Sequence, residues 1–367
     1  MKKNSFGEAL TLSTWGESHG TSVGCVLDGV PSGLELNEKE IQRDLDRRRP
    51  GQSDITTSRN EEDKIEILSG VFEGITMGTP IGMLVRNKDA DSSKYKAIID
   101  TPRPGHADLA WQVKFGVRDW RGGGRSSARE TIGRVAGGAV AKKILSEVLN
   151  CHVLTYTKSI GNIEAKSLDV SDVVKAKKAV YGNSVRCLDR KAAGLMEKEI
   201  LLAKEELDSL GGIVELVILG CPAGLGEPVF GKMNSELAGA LMSIPGVKGV
   251  EIGAGFSSTV MRGSEFNDEI DLVDDAIVTK TNNAGGITGG ITNGMPIVAR
   301  VAFRPTASIS KEQKTVDLGK MKEAKIKIEG RHDPCIVPRA VPVVEAMAAL
   351  TVADLGLRAG EIPRTLL

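Results

Sequence analysis

Apolar and polar residues along this chain repeat with two different periods, and each period predicts a type of element. Alternation over residues 64–72, clearest in Lys64-Ile65-Glu66-Ile67-Leu68, predicts a strand, as does the apolar composition of residues 21–30. Residues 213–219 are mostly apolar and predict a buried strand. Residues 283–294 contain Gly-Gly-Ile-Thr twice and predict a glycine-dense loop or a strand with a close backbone approach.

The first predicted helix begins at a capping pair and ends at a proline. Asn37 and Glu40 have the spacing of a capping box, and Pro50 cannot continue a helix. The helical spacing of Ile41 and Leu45 predicts that these two residues form the buried stripe.

A longer helix is predicted from a second capping box, formed by Ser127 and Glu130, to about Leu149. A charged amphipathic helix is expected near 190–209, and a last apolar helix over 341–355. Helices and strands come in blocks, without the regular strand–helix alternation of a doubly wound sheet. This order favours an α+β fold.

Composition excludes several classes of function. The 48 basic residues balance the 48 acidic ones and aromatic residues make up only 4%, which disfavours a nucleic-acid binder. The five cysteines form no Cys-x-x-Cys pair, which argues for a reducing cytosol and against a disulfide framework or a zinc site. The N-terminal residues lack the apolar core of a signal peptide, and Glu215 and Glu345 interrupt the longest apolar runs. We expect a soluble, cytoplasmic protein that contacts no membrane, with residues 1–367 forming one continuous domain.

Three of the four histidines lie in short clusters of Gly, Arg, Ser and Asp. His19, His106 and His332 belong to these clusters, whereas His152 has no such neighbours and is predicted to be structural. Because histidine changes charge near neutral pH, the clusters predict one site that binds an anion and moves protons. Taken singly, each cluster could also be an ordinary turn. Asp108 could orient the His106 ring.

Arginines and glycines precede the second capping box. Gly122-Gly123-Gly124 would expose backbone N–H groups at the positive end of the helix dipole, which predicts an anion site. Arg125 and Arg129 could each form bidentate hydrogen bonds to a phosphate or carboxylate. The alternative is a surface helix start with solvated arginines. The segment is not a phosphate-binding Walker loop, because no Gly-Lys-Ser/Thr follows.

Three other features allow more than one interpretation. Residues 16–20 match Gly-x-Ser-x-Gly, but a strand is predicted to follow, so Ser18 is not expected to be a hydrolase nucleophile. Asp44 and Arg48 have the spacing of an ion pair on a solvated face, with Arg47 also near the edge of the helix; a phosphate-facing arginine is the alternative. Asp333 could be a base or the partner in an Asx turn.

These segments together resemble the signature segments of the chorismate synthase family, in its monofunctional bacterial type, and the similarity runs from the N-terminus to the last helix. The segments that carry it are Gly16–Gly20, Asp44–Arg49, Arg103–Asp108, Gly124–Thr131, Gly224–Pro228 and Arg331–Pro334.

The resemblance implies an enzyme of the shikimate pathway that eliminates phosphate from 5-enolpyruvylshikimate 3-phosphate to give chorismate. It implies a requirement for reduced FMN without net redox change, long helices sandwiched between antiparallel sheets, and a homotetramer. The sequence shows no obvious insertion that could form a built-in flavin reductase. An external flavin reductase, or another supply of reduced flavin, is therefore expected. A nucleotide-binding transferase is the rival class, although it would lack a Walker lysine and a clear set of metal-binding carboxylates.

Residue by residue, the resemblance implies that His19 and His106 are catalytic and that Asp333 takes part in proton transfer near flavin N5. Asp54 departs from the basic residue that the family usually places near flavin or a dinucleotide such as NADP. The implied substrate contacts are Ser18, Arg48, Arg103 and Arg129. The implied flavin contacts are Arg125, Ser126, Ser127, Pro245, Gly246, Gly289, Arg304, Pro305, Thr306, Ala307, Ser308 and Arg331.

Overall fold

The structure, a computed structural model, describes residues 4–53, 55–56, 62–88, 99–328 and 332–366. Asp54 and Arg331 lie outside the described residues. The helices are α1 (Glu38–Arg48), α2 (Asp108–Phe115), α3 (Thr131–Leu149), α4 (Val173–Val180), α5 (Arg190–Glu205), α6 (Met233–Met242), α7 (Gly263–Phe266) and α8 (Val337–Ala359). The strands are β1 (Ser5–Phe6), β2 (Thr11–Gly16), β3 (Ser22–Asp28), β4 (Ile65–Ile67), β5 (Val71–Phe72), β6 (Ile75–Thr76), β7 (Ile81–Arg86), β8 (His152–Ile160), β9 (Ile163–Glu164), β10 (Gly212–Leu219), β11 (Val247–Ile252), β12 (Ile270–Val273), β13 (Ala276–Thr279), β14 (Ile287–Thr288), β15 (Ile291–Thr292), β16 (Ile297–Phe303), β17 (Glu312–Asp317) and β18 (Lys322–Lys327).

Two five-stranded antiparallel sheets enclose a layer of helices. Their strand orders are β1-β2-β3-β7-β4 and β11-β16-β10-β8-β9. Helix α3 packs on β2 and β3 of the first sheet and against α8, which packs on β8 and β10 of the second. The predicted α+β class is confirmed, and so is the sandwich of helices between antiparallel sheets.

The strands show the burial that their layers require. In β7, Ile81, Met83 and Val85 alternate with less buried residues, because only one face of the first sheet meets the helices. Strand β8 is buried at eight consecutive positions, since α8 packs against it and α4 and α5 also contact it. The burial of both faces of β8 is therefore explained by cover on both faces.

The predicted start of α1 is confirmed. Asn37 accepts from the Glu40 backbone N–H at 3.3 Å, and the Glu40 carboxylate accepts from the Asn37 N–H at 3.2 Å. Ile41 and Leu45 are fully buried, as their spacing predicts.

The prediction that Asp44 and Arg48 lie at a solvated edge and pair with each other is wrong, because both are buried. Asp44 instead bonds to Arg47 at 2.9 Å and to Lys142 at 2.7 Å. Arg48 bonds to Asp63. The side of α1 that carries Asp44 and Arg48 is covered because α1 contacts α3 and α8. The charged residues on that side therefore need partners from other elements.

The start of α3 differs from the predicted capping box. Ser127 accepts from the Arg129 N–H at 3.3 Å and caps a single 3-10 turn, Ala128–Glu130, before the α-helix begins. The Glu130 carboxylate bonds to Arg134 at 2.8 Å instead of returning to the cap. The predicted end at Leu149 is confirmed.

Other boundaries are adjusted by turns. The strand predicted over 64–72 is divided into β4 and β5, and residues 283–294 contain the short hairpin of β14 and β15. The helix expected over 190–209 ends at Glu205.

Helix α8 is longer than predicted and is apolar enough to span a membrane by length and composition, but 94% of its most apolar window is buried in the protein. This burial is typical of a core helix. Glu345, within it, is 1% exposed and lies 3.4 Å from Lys142 and 3.3 Å from Lys177. Burial alone would raise the pKa of Glu345, and the two lysines outweigh that effect and lower it.

The contact between α3 and α8 predicts a specific effect of a methyl group. A Cβ on Gly138 would lie 2.3 Å from the Ala346 Cβ and 2.5 Å from its Cα, whereas one on the exposed Gly194 of α5 would meet nothing within 4 Å. We expect Gly138→Ala to lower the free energy of unfolding by about 1–3 kcal/mol, because the helices must separate. Gly194→Ala should raise it by about 0.5–1 kcal/mol through helix propensity. Urea unfolding followed by circular dichroism measures both; equal effects would contradict the close packing.

Candidate active site

A cavity of about 860 Å³ lies where three loop segments meet. Residues 103–108, residues 117–126 and residues 245–248 contribute to its lining, together with Arg304. This volume is within the range of sites that enclose small molecules and cofactors. The cavity gathers residues from five of the sequence segments predicted to carry function, since Glu17 of the Gly16–Gly20 segment also lines it.

Arg103 forms a buried two-pronged ion pair with Asp108. Its Nε and a terminal nitrogen donate to the two carboxylate oxygens at 2.7 and 2.8 Å, and Arg118 approaches the same carboxylate at 3.6 Å. Burial alone would raise the pKa of Asp108, but the bonds and charge of Arg103 outweigh it and lower that pKa. The expectation that Asp108 orients the His106 ring is therefore wrong.

The His106 ring is held by two other groups. Its Nδ1 lies 3.0 Å from the Pro104 carbonyl oxygen, and its Nε2 lies 2.7 Å from the Ser308 hydroxyl. Since a carbonyl oxygen only accepts, Nδ1 carries the proton and Nε2 accepts from Ser308. Burial, aided by the Arg103 charge, lowers the pKa of His106 to about 4. At neutral pH the ring is a neutral proton acceptor at Nε2.

The segment 304–308 joins this histidine to the loop after α6. The Arg304 backbone N–H donates to the Gly246 carbonyl at 3.0 Å, and its guanidinium donates to the Gly105 carbonyl at 3.1 Å. A Cβ on Gly105 would lie 2.9 Å from the Ala307 Cβ, so the two backbones approach closely. The predicted flavin contacts Pro245, Gly246 and the run Arg304–Ser308 are thus brought together beside His106.

Gly289 is not brought to this cavity. It lies in the β14–β15 hairpin, where Gly290 accepts from the N–H of Met233 at the beginning of α6. Pro245 and Gly246 follow the other end of that ten-residue helix. A helix of this length spans roughly 15 Å, which separates Gly289 from the other predicted flavin contacts.

The turn that carries Ser18 and His19 connects two strands. Because β3 follows this turn instead of a helix, the Gly-x-Ser-x-Gly match is not a nucleophile elbow, as predicted. The Ser18 hydroxyl lies 3.2 Å from His19 Nδ1. A Cβ on Gly122 would lie 2.2 Å from the same nitrogen, so a larger residue at this position would displace the His19 ring. His19 therefore packs against the segment that lines the cavity.

Arg125 has a different partner from the one its position predicts. Its guanidinium donates to the Thr14 hydroxyl at 2.7 Å, to the Thr14 carbonyl at 3.1 Å and to the Gly16 carbonyl at 3.2 Å. These bonds fix the turn before α3 to the end of β2, instead of forking onto an anion. Arg125 and Ser126 still line the cavity, while Ser127 forms the cap.

Arg48 and Arg129 meet at one carboxylate. Arg48 donates to Asp63 Oδ2 at 2.5 Å, and Arg129 donates to Asp63 Oδ1 at 3.1 Å. The buried Arg48 Nε finds no acceptor among the described residues. A buried donor of this kind needs an acceptor, and a water oxygen or a bound anion can supply one. Burial lowers the pKa of the Arg48 guanidinium, and Asp63 opposes that effect.

Asp333 lies beside this group. It forms an ion pair with Arg339 at the beginning of α8, and the Arg339 Nε donates to the Arg48 carbonyl at 3.2 Å. His332 precedes it in the described part of the chain. The structure therefore places the candidate proton-transfer carboxylate next to a candidate anion ligand.

A family model described as chorismate synthase matches residues 10–357. The chain belongs to the chorismate synthase family. It is 56% identical to a chorismate synthase of Methanosarcina mazei over 100% of both chains, and 57% identical to one of Archaeoglobus fulgidus over 99% of this chain and 100% of that one. A solved chorismate synthase crystal structure superposes with a TM-score of 0.78 at 34% identity, covering 96% of this chain and 93% of the other. The resemblance found in the signature segments is confirmed.

Three residues that hold the candidate site together are not indicated by any pattern in the sequence that we identified: Asp63, Asn87 and Arg339. Asn87 directly follows the alternating residues of β7, where a polar residue at a strand end is a usable signal. Nothing around Asp63 distinguishes it from the acidic residues beside it, because its two partners come from α1 and from the turn before α3.

The low pKa of His106 is testable by titration. We expect the Hε1 resonance of His106, assigned by comparison with His106→Asn, to titrate with a midpoint near 4. Since the folded pKa lies below the ordinary value of 6.5, the unfolded state binds more protons between the two, and this residue makes the protein less stable as pH falls through that window. A midpoint above 6 would contradict the buried, neutral ring.

Proposed function

We propose that this protein is a carbon–oxygen lyase that converts 5-enolpyruvylshikimate 3-phosphate to chorismate and phosphate by 1,4-anti elimination. This is the last common step of aromatic amino acid biosynthesis in the shikimate pathway. The observation that carries the proposal is the end-to-end similarity to proteins named chorismate synthase. The arginine arrangement gives it independent physical support.

The charge of the site suits this substrate, which carries one phosphate and two carboxylates. Arg48, Arg103 and Arg129 are each buried or nearly so, and each shares its aspartate with a second arginine. Two guanidinium groups on one carboxylate leave a net positive charge that an anion neutralises. We assign these three arginines and Ser18 to substrate binding.

Reduced FMN is the proposed cofactor, and the cavity residues fit it. The Thr306 Oγ1 is buried and finds no hydrogen-bond partner among the described residues, in the same segment where Arg304 and Ser308 face the cavity loops. Pro245, Gly246, Arg304–Ser308, Arg125, Ser126 and Ser127 would hold the flavin. Gly289, which does not line the cavity, and Arg331, which lies outside the described residues, stay contacts that only the family resemblance implies. When bound, reduced FMN supplies electron density to the breaking C–O bond and recovers it, so the reaction has no net redox change.

His106 is proposed to exchange its proton through Nε2. In the free protein this nitrogen accepts from Ser308, and a dianionic phosphate beside it would raise the pKa of the ring and favour proton uptake. His19, against Gly122, is proposed to act from a second wall of the site. We assign Asp333, held by Arg339, to the proton removed from the substrate ring.

We further propose one catalytic domain over residues 1–367, acting in the cytoplasm as a homotetramer. The hydrophobic core is a single cluster that includes residues of both large sheets, which supports one domain. We propose that reduced flavin is supplied by a separate reductase. A nucleotide-binding transferase is disfavoured by the family membership.

The proposed reaction is tested by phosphate release under anaerobic conditions with photoreduced FMN. We expect release from 5-enolpyruvylshikimate 3-phosphate that stops when the flavin is oxidised. His106→Ala should lower turnover by about 10²–10⁴-fold, because general acid–base catalysis is lost, with flavin affinity little changed. Phosphate is measured by a coupled absorbance assay and flavin affinity by fluorescence titration.

The matched control is His152→Ala. His152 bonds to Asn150 at the start of β8, away from the cavity residues, and its removal should leave turnover unchanged. Correctly folded wild-type protein that releases no phosphate would reject the proposed reaction. Unchanged turnover in His106→Ala would remove the role of His106 alone.

A further inference from the structure

The Asp63 carboxylate is the most enclosed charged group of the candidate site. Its side chain is 0% exposed, and it lies just before β4, outside the six signature segments quoted above. Its two oxygens accept from two different arginines, Arg48 and Arg129. A buried carboxylate is stable only when it is paired and hydrogen-bonded, and this one is paired twice.

This bridge fixes the distance between two guanidinium groups that would otherwise repel each other. Without a carboxylate between them, Arg48 and Arg129 would move apart, since like charges in a buried site interact strongly. Asp63 accepts a hydrogen bond from one terminal guanidinium nitrogen of each arginine. The buried Arg48 Nε, with no acceptor among the residues that the structure describes, stays available to a ligand.

Arg129 is also held from its other side. Its Nε donates to the Asn87 side-chain oxygen at 2.5 Å, and the Asn87 amide donates to the carbonyls of Gly20 at 2.8 Å and Glu17 at 3.1 Å. These carbonyls belong to the turn that carries Ser18 and His19. A continuous chain of hydrogen bonds therefore runs from Arg48 through Asp63, Arg129 and Asn87 to the His19 turn.

We propose that Asp63 is a positioning residue that sets the spacing of Arg48 and Arg129 and places both relative to the His19 turn. It touches neither substrate nor cofactor and acts only through the two arginines. This inference rests on the proposed function, because it assigns the two arginines to the anionic groups of the substrate. Two arginines held at a fixed spacing can bind an anion in a single orientation. An elimination at a defined carbon requires the substrate to be bound in one orientation.

Two substitutions separate position from charge. Asp63→Asn keeps the shape but removes the charge, and its amide N–H₂ faces one of the guanidinium groups. Asp63→Glu keeps the charge and moves it by one methylene. The matched control is Asp46→Asn on α1, an exposed aspartate of the same region.

We expect Asp63→Asn to lower kcat/KM for the phosphorylated substrate by about 10²-fold, because a displacement of about 1 Å is enough for such a loss. The kcat/KM of Asp63→Glu should be at least about tenfold below that of wild type, whereas the kcat/KM of Asp46→Asn should stay within about twofold of wild type. Binding of inorganic phosphate, measured by calorimetry without flavin or turnover, should keep its stoichiometry in Asp63→Asn. Its affinity should be equal or tighter, since removing a nearby negative charge favours an anion.

Three results would overturn the proposal. The first is a kcat/KM of Asp63→Asn equal to that of wild type. The second is full recovery in Asp63→Glu, which would mean that charge matters and spacing does not. The third is a fractional loss of kcat/KM equal to the fractional loss of phosphate-binding stoichiometry. That result would mean that Asp63 only maintains the fold. If Asp63→Asn does not fold, Asp63→Glu and the phosphate titration still decide. Because the titration needs no reaction, failure of the proposed function is recognised separately, as wild-type protein that binds phosphate but releases none from the substrate.

Discussion

Each half of the candidate site depends on the same kind of interaction, a buried aspartate shared by two arginines. Asp63 joins Arg48 to Arg129, and Asp108 joins Arg103 to Arg118. One carboxylate makes the burial of two guanidinium groups tolerable and holds them at a fixed spacing. Each unit combines two guanidinium groups with one carboxylate. The same arrangement explains why removing either aspartate would matter more than removing a surface charge.

The helical layer determines where the first of these units forms. Helices α1, α3 and α8 pack against one another between the sheets, and the end of α1 and the starts of α3 and α8 come together at one edge. Arg48 closes α1, Arg129 lies in the turn before α3, and Arg339 begins α8. Asn87, at the end of β7, connects this edge to the turn between β2 and β3. The packing of these helices in the core therefore also sets the positions of the arginines in the candidate site.

Local signals in the sequence were enough for the α+β class, the Asn37 cap and the grouping of histidines with arginines. They were insufficient where the partner is distant or where several partners are possible. His106 and Ser308 are 202 residues apart, and no periodicity predicts their bond. Asp108 is close enough in sequence to reach either Arg103 or His106, and only the fold shows that the guanidinium fork wins because it uses both carboxylate oxygens. Asp44 was assigned to a solvated face because a single helix does not reveal which of its faces other helices will cover.

We propose that Arg48 and Arg129, held by Asp63, bind an anionic group of the substrate. A crystal structure of the protein with 5-enolpyruvylshikimate 3-phosphate and FMN would show this contact directly. We expect a substrate phosphate or carboxylate oxygen about 2.7–2.9 Å from Arg48 Nε, the usual distance for a charge-assisted bond, with Asp63 still bridging the two arginines. Substrate bound elsewhere, with Arg48 Nε satisfied by a protein group, would contradict it.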